Sequence, residues 1–267
     1  MKTALITGGG SGIGLELVRL FAKDNYRIVV FSLDQNELDD LKQELTAKLS
    51  HENIHLVQAD LSLPNAAKQV FDHCKKHKLN IDVLVNNAGF ALWGEVAEQD
   101  IAIGNKLLQL NIVALTELSQ LFGEQMKSRG AGKIINIGST MGISPIPFAA
   151  LYASSKAYVN AFSVALAFEL EPYGVEVSCV EPYLTRTKFM TTSMKNSAKP
   201  ASADEVDDIE KMAHTPTMVA EITYNGMNKG KKVILPGKKF HIIAWIMRTL
   251  PQTWIAKFVY KQASKNM

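Results

Sequence analysis

Short apolar runs recur along the chain, separated mostly by longer segments of helical period. The runs are Ala4–Thr7, Ile28–Phe31, His55–Ala59, Val83–Val85, Lys133–Ile137, Val175–Val180 and Lys232–Leu235. Strands this short and this apolar are buried on both faces, so they belong to a parallel sheet covered by helices on either side. Between the first two runs, Ile13, Leu17, Leu20 and Phe21 repeat at helical spacing, and Leu38, Leu41, Leu45 and Leu49 stripe a helix over 36–49. Pro64 falls where the next helix should start, a position at which its missing N–H costs nothing. Longer helices are expected over 99–129 and 150–173, the second with Pro172 near its end. With right-handed crossovers, this order predicts a doubly wound α/β sheet of seven parallel strands, a single domain over 1–237. A chain of 267 residues, 47% hydrophobic, can bury such a core.

Two segments break the rhythm. Residues 187–215 are polar and methionine-bearing, with Lys199-Pro200-Ala201-Ser202 at their centre, and are expected to form a substrate loop. The tail, 238–267, is basic and amphipathic, and Pro251 divides it into two expected helices. The net charge of +3 is too small and diffuse for nucleic acid. Cys74 and Cys179, one in a helix and one in a strand, do not make a disulfide framework. They point to a reducing, cytoplasmic setting. The first strand begins so early that a signal peptide is not expected, and the apolar run Ile242–Met247 is far too short to span a bilayer.

Thr7-Gly8-Gly9-Gly10-Ser11-Gly12-Ile13-Gly14 joins the first strand to the first helix. Backbone can approach a pyrophosphate closely there, and the helix N-terminus offers free N–H groups with a partial positive charge. The strict G-x-G-x-x-G fingerprint is not met, because Ile13 stands where its last glycine should be; the spacing is G-x-x-x-G-x-G.

That spacing resembles the T-G-x-x-x-G-I-G of the classical short-chain dehydrogenase/reductase family, and further motifs extend the likeness over residues 2–190. Asp60 and Leu61 stand after strand three, where the family places an Asp against adenine. Asn86-Asn87-Ala88-Gly89 matches N-N-A-G. Asn111, Ser139, Tyr152 and Lys156 match its catalytic tetrad in order. Pro182 and Thr187, five residues on, match P-G-x-x-x-T, with Tyr183 in place of the usual Gly. The resemblance implies a Rossmann fold binding NAD or NADP. Its cofactor contacts would come from Gly8, Gly10, Ser11, Gly12, Ile13, Gly14, Ser32, Asp34, Asp60, Leu61, Asn87, Ala88, Gly89, Tyr152, Lys156, Pro182, Thr185 and Thr187. The end of the chain is similar to a 3-oxoacyl reductase-like or hydroxysteroid dehydrogenase-like subgroup. A homodimer or homotetramer through the helices holding Asn111 and Tyr152 is also implied.

Cofactor choice turns on the end of strand two, where a carboxylate accepts from the ribose and repels a 2′-phosphate. Ser32 is neutral, Leu33 replaces a common Arg, and Asp34 tips the reading slightly to NAD, although Asp34 serves equally as the N-cap of the next helix. Tyr152 and Lys156, four residues apart, share one helix face. An ammonium and a positive nicotinamide would lower the phenol from its usual value of about 10. We expect hydride to reach a carbonyl carbon while Tyr152 protonates the oxygen, with Ser139 polarising the carbonyl and Asn111 behind Lys156. Singly, each residue has a dull explanation; together, downstream of the glycine loop, they favour an oxidoreductase. A non-catalytic NAD(P)-binding sensor would not need the acid–base group. A cofactor-dependent isomerase or dehydratase would want a larger C-terminal domain. No metal is expected, since His73 and His77 flank Cys74 on a lysine-rich face without a third ligand.

Tyr183, Phe189, Met190, Met194 and Met212 favour a hydrophobic small-molecule carbonyl or alcohol, 3-oxoacyl or sterol-like, or else ordinary loop packing. From Lys229 to the end there are nine Lys or Arg and no Asp or Glu. The tail's apolar face, with Trp245 and Trp254, suits peripheral contact with an anionic membrane, and equally a cover over the substrate opening or an oligomer interface.

Overall fold

A computed structural model of the protein describes residues 1–187, 189, 193 and 213–264. Its centre is a seven-stranded sheet of β1 (Thr3–Thr7), β2 (Arg27–Ser32), β3 (Ile54–Gln58), β4 (Val83–Asn86), β5 (Gly132–Ile137), β6 (Val175–Val180) and β7 (Val233–Ile234). The strands lie in the order β3-β2-β1-β4-β5-β6-β7, and every pairing is parallel. Each expected strand is present to within a residue or so. The order reverses between β1 and β4, which opens a crevice at the carboxyl ends of those two strands, the place where doubly wound sheets bind ligands.

Strand side chains alternate between faces, so consecutive residues feed different cores. Ala4, Ile6 and Val30 pack with Leu17 and Phe21 of α1 (Gly12–Lys23), Leu41 of α2 (Gln35–Thr46) and Tyr224. Leu5, Val29 and Leu84 pack on the opposite face with Val70 of α3 (Ala66–Lys76) and Phe122 and Met126.

Two local expectations are corrected. Pro64 lies before α3 rather than in its first turn, because Asn65 caps the helix in a left-handed conformation. The helix expected over 99–129 starts at Ile101, where Asp100 accepts from Ala102 N at 2.7 Å. It comprises α4 (Ile101–Leu108), a π-helical stretch Gln109–Ala114 and α5 (Leu115–Arg129). The extra residue of a π turn re-aims the side chains around it, and Asn111 is among them. α6 (Ala150–Leu170), with a short 3-10 turn to Tyr173, fills the 150–173 expectation.

Most of the expected substrate loop, including Met190, Met194, Met212 and Lys199 to Ser202, lies outside the described residues. Its two ends meet in a parallel bridge between Thr185 and His214, ahead of α7 (Pro216–Asn228). The tail forms α8 (Lys238–Thr249) and α9 (Gln252–Ala263). Among the described residues, no helix is long and apolar enough to cross a membrane.

Candidate active site

The glycine loop turns on Gly8 (φ +62°) and Gly12 (φ +57°), both in the left-handed region. Gly14 is fixed by space: a Cβ there would overlap the Gly8 carbonyl oxygen and lie 2.5 Å from Asn87 Nδ2. Asn87 Nδ2 donates to the carbonyls of Thr7 (3.0 Å) and Gly8 (2.9 Å), and Thr7 Oγ1 accepts from the N–H groups of Asn87 (3.0 Å) and Ala88 (3.1 Å). The glycine turn and the segment after β4 are thereby locked into one cradle. Ser11 stands at the N-cap of α1 without a side-chain cap bond. Thr187 closes the rim, its Cγ2 3.0 Å from where a Cβ on Gly12 would lie. This close-packed, positively poled turn fits a dinucleotide pyrophosphate.

Several expected contacts are engaged elsewhere. Asp34 is the N-cap of α2, accepting from Asn36 N at 2.8 Å and Glu37 N at 3.4 Å. The capping role wins because α2's first N–H groups need an acceptor. Leu61 and Ile13 turn their side chains toward the cores, leaving backbone as what they can offer a ligand. Asp60 Oδ1 accepts from Ser62 N (2.9 Å) and Ser62 Oγ (2.6 Å), which shapes the turn after β3. Thr185 Oγ1 donates to Tyr183 O at 2.9 Å, and Pro182 O accepts from Thr140 N at 3.0 Å. Ser32, buried, ends β2 beside Gly10: a Cβ on Gly10 would lie 3.3 Å from Ser32 Oγ and 2.9 Å from Glu37 Oε2. Glu37 was missed in the sequence because it stands five residues beyond the strand, inside α2.

The chemistry end adjoins the same wall. A Cβ on Gly89 would lie 2.9 Å from Asn111 Oδ1 and 3.7 Å from Lys156 Nζ. Lys156 Nζ donates to Ile137 O at 2.7 Å and lies 5.9 Å from the centre of the Tyr152 ring. Tyr152 and Ser139 are both buried, and the Ser139 hydroxyl accepts from Met141 N at 3.1 Å. Asn111 stands at the same point as Lys156, held by its neighbours. Its Nδ2 donates to Phe90 O (3.0 Å) and Ser155 Oγ (3.1 Å), and its Oδ1 accepts from Phe90 N (3.2 Å). It braces the segment that follows Gly89.

Asn160 is a positioning residue the sequence did not flag. It accepts from Ser139 N at 3.3 Å and donates to Ser139 O at 2.9 Å. Its signal was spacing: Tyr152, Lys156 and Asn160 recur every four residues on α6.

Burial pushes the Tyr152 phenol up to about 12, with the Ser139 hydroxyl pulling the other way, and burial brings Lys156 down to about 8. Burial by the protein alone thus favours the neutral, proton-donating phenol at neutral pH. Below pH about 8, Lys156 is charged both folded and unfolded, and the fold bears the desolvation cost. Between about 8 and about 10.4 only the unfolded lysine stays protonated, so its contribution to stability rises with pH. The urea midpoint of wild type should therefore gain on that of Lys156→Met between pH 7 and pH 10; a constant difference would contradict the assignment. Comparing the two proteins cancels the tyrosine and cysteine titrations they share.

Around Tyr152 lies an apolar wall of Ala91, Leu92 and Leu107, with Phe90, Met141 and Phe189 partly buried against it. The Phe189 ring centre is 5.8 Å from that of Tyr152. Tyr183 packs edge-on toward His214, ring centres 6.4 Å apart. The ring of His73 on α3 lies tilted against that of His77 just past the helix, centres 4.4 Å apart, with His55 6.1 Å from His77, while Cys74 turns into the core. Among the described residues, no group of three or more His, Cys, Asp or Glu is placed to hold a metal.

The model of the short chain dehydrogenase family matches residues 2–198. The chain belongs to the short-chain dehydrogenase family. It is 30% identical over 262 residues to a probable short-chain type dehydrogenase/reductase, VdlC, of Helicobacter pylori, covering 94% of each chain. It is 28% identical to the very-long-chain 3-oxoacyl-CoA reductase of Mus musculus, over 95% of this chain and 82% of that one. A short-chain dehydrogenase from Sphingobium yanoikuyae, solved in complex with NADPH, superposes with a TM-score of 0.79 at 27% identity, over 94% of this chain and 97% of that one. This short-chain dehydrogenase is an NAD(P)-dependent oxidoreductase built on a single Rossmann sheet.

Proposed function

We propose that the protein reduces a hydrophobic carbonyl compound, of the 3-oxoacyl kind, to the alcohol, with Tyr152 as the proton donor. The carrying observation is that Gly89, two residues beyond the Asn87 that locks the glycine turn, lies against Lys156 Nζ and Asn111, and that Lys156 Nζ in turn lies 5.9 Å from the Tyr152 ring centre. Gly8, Gly10, Ser11, Gly12, Gly14 and Thr187 would hold the dinucleotide, with Ala88 and Gly89 beneath it. The bound nicotinamide dinucleotide supplies the hydride. Tyr152, neutral at working pH, delivers a proton to the carbonyl oxygen. Ser139, held by Asn160, donates a hydrogen bond to that oxygen and fixes its angle. Lys156 replenishes positive charge beside the phenol. Asn111 acts at one remove by bracing Phe90.

The substrate class rests on the apolar wall around Tyr152 and on the names of the relatives, among which 3-oxoacyl-CoA reductases recur. The test is the change in nicotinamide absorbance with NADH or NADPH and a panel of 3-oxoacyl thioesters, steroidal ketones and sugars. Turnover of sugars but of no apolar ketone would defeat this reading. The outward faces of α5 and α6, with Tyr158 stacked on Phe162 and Phe168 exposed, are where we place a homodimer contact.

For cofactor preference we retain NAD and reassign its cause. Asp34 is occupied as a cap, and it is Glu37 whose carboxylate stands over Gly10 next to Ser32. A 2′-phosphate at the end of β2 would meet that negative charge. The Sphingobium relative was captured with NADPH, so the discrimination must come from local residues such as this one. Glu37→Lys should raise the affinity for NADPH relative to NADH by about tenfold, about 1.4 kcal/mol. Titration by nucleotide fluorescence reads the ratio, and an unchanged ratio would remove Glu37 from the explanation.

A further inference from the structure

The two tail helices touch the body along narrow stripes. On α8, Ala244 is buried, Met247 half-buried, and Arg248 Nη2 lies 2.8 and 2.7 Å from the two oxygens of buried Glu181. On α9, Ile255 is buried and Tyr260 stacks on Phe148 with ring centres 5.5 Å apart. The Ser144 hydroxyl donates to Met247 O at 3.4 Å. All these anchors lie on the segment linking Ser139 to Tyr152, or just before Pro182, so the tail forms part of the rim of the catalytic cleft.

The other faces of the same helices are bare and apolar. Ile242 and Trp245 on α8 are each 67% exposed, and Trp254 and Phe258 on α9 are 69% and 65% exposed. Trp254 and Phe258, four residues apart, share one face, and the exposed Lys257 and Lys261 lie three and seven residues from Trp254. From Lys229 onward the chain carries nine basic and no acidic residues. A self-association surface or a protein partner of mixed charge would not require such one-sidedness. Exposed tryptophans flanked only by cations match the headgroup layer of an anionic bilayer, where indole and phenyl rings sit at the acyl boundary and ammonium groups meet phosphate. Neither helix can cross the bilayer, so the contact is in-plane.

We propose that α8 and α9 form a docking plate for anionic phospholipid surfaces, and that docking sets the rim of the Ser139–Tyr152 cleft against the membrane. Docking itself does not depend on the reaction; only its use, delivery of an apolar substrate from lipid, rests on the function proposed above.

The full-length protein is sedimented with vesicles of pure phosphatidylcholine and of phosphatidylcholine mixed with phosphatidylserine, without substrate or turnover. Binding is expected to the mixed vesicles and to fall steeply in high salt. Trp254→Ala/Phe258→Ala and Lys257→Gln/Lys261→Gln should each weaken it by about tenfold or more. These side chains are exposed, so the variants should melt as wild type, and melting curves identify any that do not. For a variant that melts low, quenching of wild-type tryptophan fluorescence by brominated lipid in the same vesicles gives the reading instead. No binding to phosphatidylserine vesicles, no quenching, or full binding by both folded variants overturns the proposal. So does a dimer, seen by sedimentation velocity, that Trp254→Ala/Phe258→Ala dissociates while the wild type ignores lipid; that result would give the face to a second copy.

Discussion

Replacing Tyr152 by Phe is expected to lower kcat/KM for ketone reduction by about 10²–10⁴-fold, the usual worth of a positioned acid–base group, with cofactor affinity retained. The substitution deletes one hydroxyl and keeps the ring that packs with Leu92, Leu107 and Phe189. Because the phenol is held near 12 by burial, reduction should be flat in pH across the neutral range, where the donor is already loaded. Alcohol oxidation needs the phenolate and should climb with pH. Both signs follow from one direction of shift, which makes the pH profile a sharper test than the loss of rate. A Tyr152→Phe protein that turns over normally, or an oxidation rate that falls as pH rises, would remove Tyr152 from the mechanism.

The alternation of apolar runs and helical stripes made the sheet legible, because a buried parallel strand and an amphipathic helix each write their burial directly into sequence. The glycine turn was legible for a similar reason: Gly14 has no room for a side chain, and Gly8 and Gly12 need a left-handed backbone. What stayed hidden depended on competition between partners. Asp34 could cap α2 or face the ribose, and only coordinates show the cap, with Glu37 left over Gly10. Asn111 lies in a π turn that no hydrophobic period announces, and that turn aims its amide at Phe90. The burial around Tyr152 and Lys156, which favours the neutral form of each, is likewise a product of packing that the sequence does not display.

Gly14→Ala should be the most disruptive small substitution in the cradle. The added methyl would collide with the carbonyl oxygen of Gly8 and sit 2.5 Å from the Asn87 amide nitrogen. Both are held: Asn87 Nδ2 is bonded to the carbonyls of Thr7 and Gly8, and Gly8 N donates to Phe31 O at 2.7 Å. Relief therefore requires moving backbone, since no flexible chain end can yield, and such overpacking costs about 1–3 kcal/mol. For a chain of this size that lowers Tm by roughly 2–4 °C per kcal/mol. The same displacement opens the lock between the turn and Asn87, so NADH binding should be lost even at temperatures where the fold survives. Gly123→Ala is the matched control. Its methyl would meet only Leu170 Cδ1 at 3.4 Å and Ile134 Cδ1 at 3.7 Å, ordinary contacts, and in mid-α5 it gains up to about 1 kcal/mol of helix propensity. Thermal melts and nucleotide fluorescence on the pair separate a general loss of stability from damage to the cradle. If Gly14→Ala melts and binds NADH as the wild type does, the turn is not the dinucleotide seat that this geometry describes.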